Sequence, residues 1–325
     1  MKTFNFKSLL NLSLMAGLLV STVLVSSCKS DDDDDERTTG GSAPTADGKK
    51  LTSVSNGNSI AIFDYDAQGR VTTVTEGTTK TSFTYSDTQI IVTKTYSGST
   101  SGSLVTYTLK DGRVVKQTEK SSDPTRPDYV YDYTYDGNGC LTKVSYSYTY
   151  TDESSYSSYS SNKTTYTNTE TENYTWKDGN IESVQSESSY TRVYVYSYTS
   201  YNNNIPVTSS TTTTYTEKTT GTTRYSYSEH VATMPALGSS SVLNWQGYFG
   251  KNSTKLVSRA VETRTTTTSE TSSGDNSNSN RPNTETSNET IDYVYTFNGS
   301  AIEKILVTSI EDGKQYFTTH ELTWN

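Results

Sequence analysis

One short pattern recurs along this chain and limits what it can fold into. A strand with aromatic residues at alternate positions leads into a turn built on Gly, Asp or Asn, and a second strand follows with an aliphatic residue just after the turn and another about three residues on. The first copy runs from Phe63, Asp64, Tyr65 and Asp66 through Gly69 and Arg70 to Val71, Thr72, Thr73 and Val74. Further copies run from Tyr107 to Val114 around Asp111 and Gly112, from Tyr133 to Val144 around Asp136 to Gly139, and from Tyr174 to Val184 around Asp178 and Gly179. Fainter ones span Tyr196 to Val207, with Asn202 to Asn204 as the turn, and Tyr293 to Ile305 around Asn298 and Gly299. Asp-Gly and Asn-Gly favour hairpins because their residues tolerate positive φ.

Alternation along the aromatic strands assigns faces. Tyr129, Tyr131, Tyr133 and Tyr135 share one side of a strand, as do Tyr146, Tyr148 and Tyr150, Tyr194, Tyr196 and Tyr198, and Tyr293, Tyr295 and Phe297. Val130, Val195 and Val294 point the other way, which predicts a sheet covered in places on both faces. Runs such as Thr211–Thr214 and Thr265–Thr268 disfavour helix, because β-branched and hydroxyl side chains lose freedom there or compete for backbone bonds. The fold class is therefore all-β: an antiparallel meander of repeated hairpins over residues 51–325, forming a curved sheet or a half-closed to closed barrel. Two stretches leave the pattern. Residues 234–255, with Pro235, Leu237, Val242, Leu243, Trp245, Tyr248 and Phe249, read as a helical turn or packed loop capping the sheet, and residues 274–283 as a mobile loop between long strands.

Hydrophobic residues make up 30% of the chain even with its 27 tyrosines counted, where ordinary globular domains carry roughly 45–50% by a count that takes in glycine. Tyrosine buries a ring while its hydroxyl stays wet, so a tyrosine-rich chain can cover a sheet with a shallow core. Cross-strand aromatic pairs add about 0.2–1 kcal/mol each. Net charge is −9. That argues against nucleic acid, whose phosphates need a basic face.

The N-terminus sets location. Lys2 and Lys7 precede an apolar stretch from Leu9 to Val25, and Val25, Ser26, Ser27 and Cys28 form the pattern cut by bacterial lipoprotein signal peptidase. Residues 1–27 are a targeting segment, and their removal takes the charge to −11, because Lys2 and Lys7 leave with it. The stretch is interrupted by Asn11, Ser13, Ser21 and Thr22 and followed by acid, unlike a spanning helix of about 20 apolar residues with a basic flank. Acyl chains on Cys28 would hold the protein at a membrane at about 0.8 kcal/mol per buried methylene. Residues 28–50, the acylated cysteine with the acidic run Lys29, Ser30, Asp31, Asp32, Asp33, Asp34, Asp35 and Glu36 and then Gly40, Gly41 and Gly48, carry too little apolar surface to order and read as a linker. Five adjacent carboxylates lack the turn residues a calcium loop needs. With Cys28 acylated, Cys140 has no disulfide partner and reads as a small buried hydrophobe.

Two resemblances follow from these residues. Tyr65 and Asp66 through Gly69, Arg70, Val71 and Thr72 resemble the tyrosine-aspartate repeat of Rhs-type shell proteins. The Cys28 tether, the hairpins and the segment Trp245, Gln246, Gly247, Tyr248, Phe249, Gly250, Lys251, Asn252 before Lys255 and Leu256 resemble, over roughly residues 51–325, a family of Bacteroides-type surface lipoproteins of unknown function with a porin-like β fold. The acidic run itself resembles the export signal that sends such lipoproteins to the outer face of the outer membrane. This likeness implies a curved meander or barrel and carries over no catalytic residues. A lipid-spanning barrel needs an apolar outer band about 25 Å tall, and the faces opposite the tyrosines are largely Ser, Thr, Glu and Lys.

For function, the sequence points away from catalysis. His230 and His320 are the only histidines and neither has a ligand-spaced Cys or His nearby, so neither a metal nor another cofactor is expected. His320 reads as a surface or strand-edge residue, and His230 as the end of the Tyr225–Ser228 strand. No Gly-x-Ser-x-Gly elbow occurs. Two carboxylates meeting across strands in glycosidase geometry would give a glycoside hydrolase-like enzyme, the third reading. The first is a non-catalytic surface scaffold for ligand binding or adhesion, with a glycan or peptide as ligand. Trp245, Tyr248 and Phe249 are its candidate exposed rings, since they lie outside the hairpins, and packing on the sheet end is their other role. The second reading is an envelope-assembly component that pairs with an outer-membrane protein through the edges of the strands Tyr190–Tyr201 and Thr208–Tyr227.

Overall fold

A computed structural model describes residues 45–46, 49–97, 102–157, 159–203, 205–231, 242–273, 282–311 and 313–325. Cys28, the acidic run to Glu36 and most of residues 274–283 lie outside the described residues. The strands are β1 (Thr45–Ala46), β2 (Lys49–Ser55), β3 (Ile60–Tyr65), β4 (Val71–Glu76), β5 (Thr79–Tyr85), β6 (Gln89–Tyr96), β7 (Ser103–Lys110), β8 (Arg113–Glu119), β9 (Tyr129–Tyr135), β10 (Leu141–Ser157), β11 (Ser160–Lys177), β12 (Asn180–Asn202), β13 (Ile205–Val231), β14 (Lys255–Ser272), β15 (Asn283–Asn298), β16 (Ala301–Glu311) and β17 (Lys314–Trp324). β2 thus starts inside the stretch read as linker, and the short β1 pairs with it.

Each strand from β2 to β17 pairs antiparallel with the next, and β17 pairs back onto β2, so sixteen strands close into one barrel. The walls differ in height. β2 to β9 are 6 to 8 residues long, whereas β12 and β13 are 23 and 27. At about 3.3 Å per residue the latter is roughly 90 Å of strand. The turns of the repeated hairpins, at residues 66–70, Asp111-Gly112, residues 136–139, Asp178-Gly179 and Asn298-Gly299, lie at one end, which the short and tall walls share; the tall wall extends beyond the other.

The repeat has a structural reason at that shared end. In five hairpins, and again where β13 meets β14 and β17 meets β2, the strand leaving the turn carries one extra residue: Thr52, Thr72, Val115, Thr142, Glu182, Ser258 and Glu303. An extra residue shifts the side-chain phase by one, so the inward positions fall at spacing three instead of two. This explains the aliphatic pairs Leu51 and Val54, Val71 and Val74, and Ile302 and Ile305, all buried.

The bulge also ends the ladder to the next hairpin early, and a ring takes its place. Tyr65 donates its hydroxyl to the carbonyl of Leu51, Tyr85 to Val71, Tyr135 to Val114, Tyr227 to Ile181 and Tyr295 to Val257, while the indole N–H groups of Trp176 and Trp324 donate to Leu141 and Ile302, at 2.5 to 2.8 Å. Between β6 and β7 there is no bulge, the ladder runs to Gln89 and Thr108, and the ring bond is missing. A carbonyl buried without a donor costs about 1–3 kcal/mol, which accounts for an aromatic donor recurring at this level of the barrel.

The turns are locally specified. Asp66 accepts from the backbone N–H groups of Gln68 and Arg70 and from Arg70 Nε, and Asp136 accepts from those of Asn138 and Cys140. Asp111 and Asp178 take positive φ in the two-residue turns. The faint copy from Tyr196 to Val207 is different: its turn lies at the opposite rim, and its strands pair without a bulge. Its resemblance is one of composition only. Cys140 is buried where β10 begins.

Closure also corrects three expectations. β12 and β13 are paired on both sides over most of their length, so the edges on which an assembly partner was expected to pair are confined to their tips. Val294 is 59% exposed, so the outer face is bare there. His320 lies opposite buried Ile305 and faces the lumen, half-buried, with burial holding its pKa below 6.5. His230 is exposed, and its ring lies 4.6 Å from that of Phe297.

Candidate functional site: a plugged lumen with an acidic wall

Between β13 and β14 the chain enters the barrel. Val242–Trp245 forms one helical turn, α1, and residues 246–254 continue across the turn end. Val242, Leu243 and Tyr248 belong to the same core as Phe63, Ile90 and Leu256. The segment is tied to strands on the far side. Val114 N–H donates to Tyr248 O, Lys251 N–H to Gly139 O and Thr254 N–H to Gly179 O. Ser253 Oγ accepts from Ile181 N–H, and Gln246 Oε1 accepts from the Tyr85 hydroxyl at 2.8 Å. At Gly250, φ is +85° and a Cβ would stand 2.5 Å from Gly139 O, so the close approach of this segment to the β9–β10 turn needs glycine.

The three candidate residues lie on this segment. Tyr248 is 5% exposed and its ring stacks 5.9 Å from that of Tyr85. Phe249 is half-buried, edge-on to Tyr107 at 5.9 Å and 5.1 Å from Tyr133. Trp245 belongs to α1. Tyr248 is therefore a core residue and not an exposed ring, because the aliphatic spacing at the turn end leaves a lumen into which Tyr248 and Phe249 pack.

Above the plug the inward faces turn polar. One row in register across the tall wall reads Tyr174, Val184, Thr223, Glu262, Glu289 and Glu311. The next row reads Val144, Glu172, Ser186, Gly221, Arg264 and Ser287, and the one above it Tyr146, Glu170, Ser188, Thr219, Thr266 and Glu285. Buried Tyr146, Thr219 and Ile291 share this phase. Sequence reasoning gave these glutamates no role, although the signal was present: the alternation Phe297, Tyr295, Tyr293, Ile291 continues inward to Glu289, and Trp176, Tyr174 continues to Glu172 and Glu170.

Their electrostatics are those of crowded, half-desolvated acids. Burial raises the pKa of Glu119, Glu170, Glu172 and Glu289, with Glu172 adding to the rise at Glu170 and Glu262 to those at Glu172 and Glu289. Tyr174 donates to Glu172 at 2.6 Å and Ser309 to Glu289 at 2.6 Å. Arg264 donates twice to Glu262 Oε1, at 2.8 and 3.1 Å. Beside the acids, Tyr131 and Tyr146 stack at 4.7 Å and Tyr129 and Tyr148 at 5.2 Å. Among the described residues no group of three or more His, Cys, Asp or Glu could hold a metal ion.

A family model matches residues 63–309, that of the domain of unknown function DUF4595 with porin-like fold. The chain belongs to this family. Membership in DUF4595 agrees with the closed antiparallel barrel and specifies no activity; it covers neither Cys28 nor the acidic run. No curated protein matches the chain. Among solved structures, the one entitled "Crystal Structure of TcdB2-TccC3" aligns with 79% of this chain and 16% of its own length, at 10% identity and a TM-score of 0.18. A likeness that weak carries no argument, and the resemblance of the hairpins to Rhs-type repeats gains nothing from it.

Proposed function

We propose that this DUF4595 protein is a lipid-anchored, outward-facing binding barrel of the outer membrane that acts without catalysis and takes a glycan or peptide ligand into its lumen. The observation that carries the reading is the plug: Val242, Leu243 and Tyr248 are buried in the barrel core, so the turn end is filled and the interior is a blind cup instead of a pore. Its upper wall offers stacked tyrosines and polar groups, the surfaces on which sugars and peptides dock. The outer face supports an aqueous setting. Thr212, Thr214, Thr216, Lys218, Thr220, Thr222 and Arg224 alternate with the inward residues of β13, where lipid would require an apolar band.

Three measurements test it. Labelled fatty acid should enter the wild-type chain and not Cys28→Ala, and whole-cell proteolysis should remove the barrel. Screening the purified protein on glycan and peptide arrays should return a ligand; a chain that is unacylated, protected from protease and silent on both arrays refutes the proposal. The assembly reading has one observation in its favour. Residues 205–211 of β13 have no partner strand on the β14 side among the described residues, and Ile205 is 66% exposed. Crosslinking from this tip to one membrane protein would favour it.

A further inference from the structure

We infer that the acidic wall is a recognition site for an organic cation, a protonated primary amine or a guanidinium, and this deepens the binding-barrel reading on which it rests. Glu262, Glu289 and Glu311 stand directly opposite one another on β14, β15 and β16. Like charges in such register destabilise a sheet, so the row works against folding unless something positive shares it. Burial increases along it from the exposed Glu311 at the rim through half-buried Glu289 to Glu262, which is 5% exposed. The row is thus a track from solvent into the wall.

At its deep end the charge is half satisfied. Arg264 occupies Glu262 Oε1 with both its hydrogen bonds, while Glu262 Oε2 is buried with no hydrogen-bond partner. A buried carboxylate oxygen without a donor is costly, and a donor brought by a ligand would relieve it. Glu262 adds to the rise in the pKa of Glu172 in the row above, on β11, and Gly221 leaves the wall there without a side chain, its missing Cβ only 3.8 Å from Glu262 Oε1. Lys314 lies opposite Glu311 at the exposed rim, and Arg264 is the one cation that the described contacts place on Glu262. Since these carboxylates are not grouped for a metal ion, the complement is a larger cation with several N–H donors, which can bridge oxygens of neighbouring strands.

The chemistry fits a small polyamine or the basic side chains of a peptide, and the test separates them. Calorimetric titration of the intact protein would use spermidine, an oligolysine peptide, and the same peptide with its amines acetylated. Saturable binding of spermidine alone identifies a small amine, and binding of oligolysine a peptide; the acetylated peptide should be silent. Glu262→Gln and Glu289→Gln should each weaken binding about tenfold or more, the loss of a charge-assisted hydrogen bond. Glu187→Gln, on the outer face of β12, should change nothing. If Glu262→Gln fails to fold, Glu289→Gln and Glu311→Gln decide. Equal weakening by Glu187→Gln and Glu289→Gln overturns the site in favour of diffuse attraction. Silence of both amines while a neutral glycan or peptide still binds overturns the cation assignment and leaves the binding barrel standing; silence towards every probe overturns both.

Discussion

The collar of the barrel around its turn end and the tall wall above it are made from the same sixteen-strand meander and stabilised differently. In the collar, each bulged strand except β8, where Gln117 follows Val114, turns two aliphatic side chains inward, an aromatic donor closes the carbonyl that the bulge exposes, and the plug fills what is left. In the wall, strands of 16 to 27 residues rely on backbone pairing, stacked tyrosines and paired hydroxyls such as Thr151 with Thr165 and Thr265 with Thr286, both on the outer face. The difference teaches where a chain so poor in aliphatics concentrates its core: at the level where strands splay and backbone groups need cover, leaving the wall free to carry polar chemistry.

The sharpest way to break this comparison is to empty the collar. Ile305→Ala, at a position 1% exposed, should cost about 2–5 kcal/mol, whereas Tyr198→Ala in the wall, 43% exposed, should cost about 0.2–1 kcal/mol in chemical denaturation. Equal losses would mean that the wall has a core of its own. Next in size is Tyr295→Phe, which keeps the ring and strands the Val257 carbonyl; a loss of about 1–3 kcal/mol is expected, against none for Tyr196→Phe in the wall. No loss at Tyr295 would reduce the ring ladder to packing.

Protons should act mainly on the wall. Because Glu170, Glu172 and Glu289 have pKa values raised above 4.5, the folded state keeps protons that the unfolded chain has released. Stability then falls as pH rises from the ordinary glutamate value through their folded values. His320 works in the opposite sense: its pKa lies below 6.5, so the folded state sheds a proton the unfolded chain holds, and stability rises with pH up to that value. Melting temperatures across this range should therefore fall more steeply with pH in His320→Gln and flatten in Glu289→Gln. An unchanged slope in Glu289→Gln would show that the acids are fully solvated. The smallest effect is expected at the outer hydroxyl pairs, where Thr151→Val should change stability by no more than about 0.5 kcal/mol.

Much of the collar was legible beforehand. The turn residues, the tyrosine phase and the aliphatic spacing are local, and each marks a hairpin by rules that act over a few residues. The spacing of three was visible in Val71 and Val74 without its cause, since a bulge is defined by the partner strand. The place of Tyr248 stayed open between an exposed ring and packing on the sheet end for a related reason: a segment outside the strand pattern can lie over a sheet or inside a barrel, and only closure distinguishes them. The acidic wall was missed because Glu262, Glu289 and Glu311 are far apart along the chain and each alone reads as a solvated residue of a strand.

By itself, then, the order of residues determined that this chain makes antiparallel hairpins with tyrosine on one face and tight turns at defined places, because turn chemistry and period-two alternation are decided between near neighbours. The pairing of β17 with β2, the seating of the plug and the alignment of three glutamates depend on contacts between residues distant in sequence. Those are decided only when the sheet curves far enough for its ends to meet, and no local preference encodes that curvature.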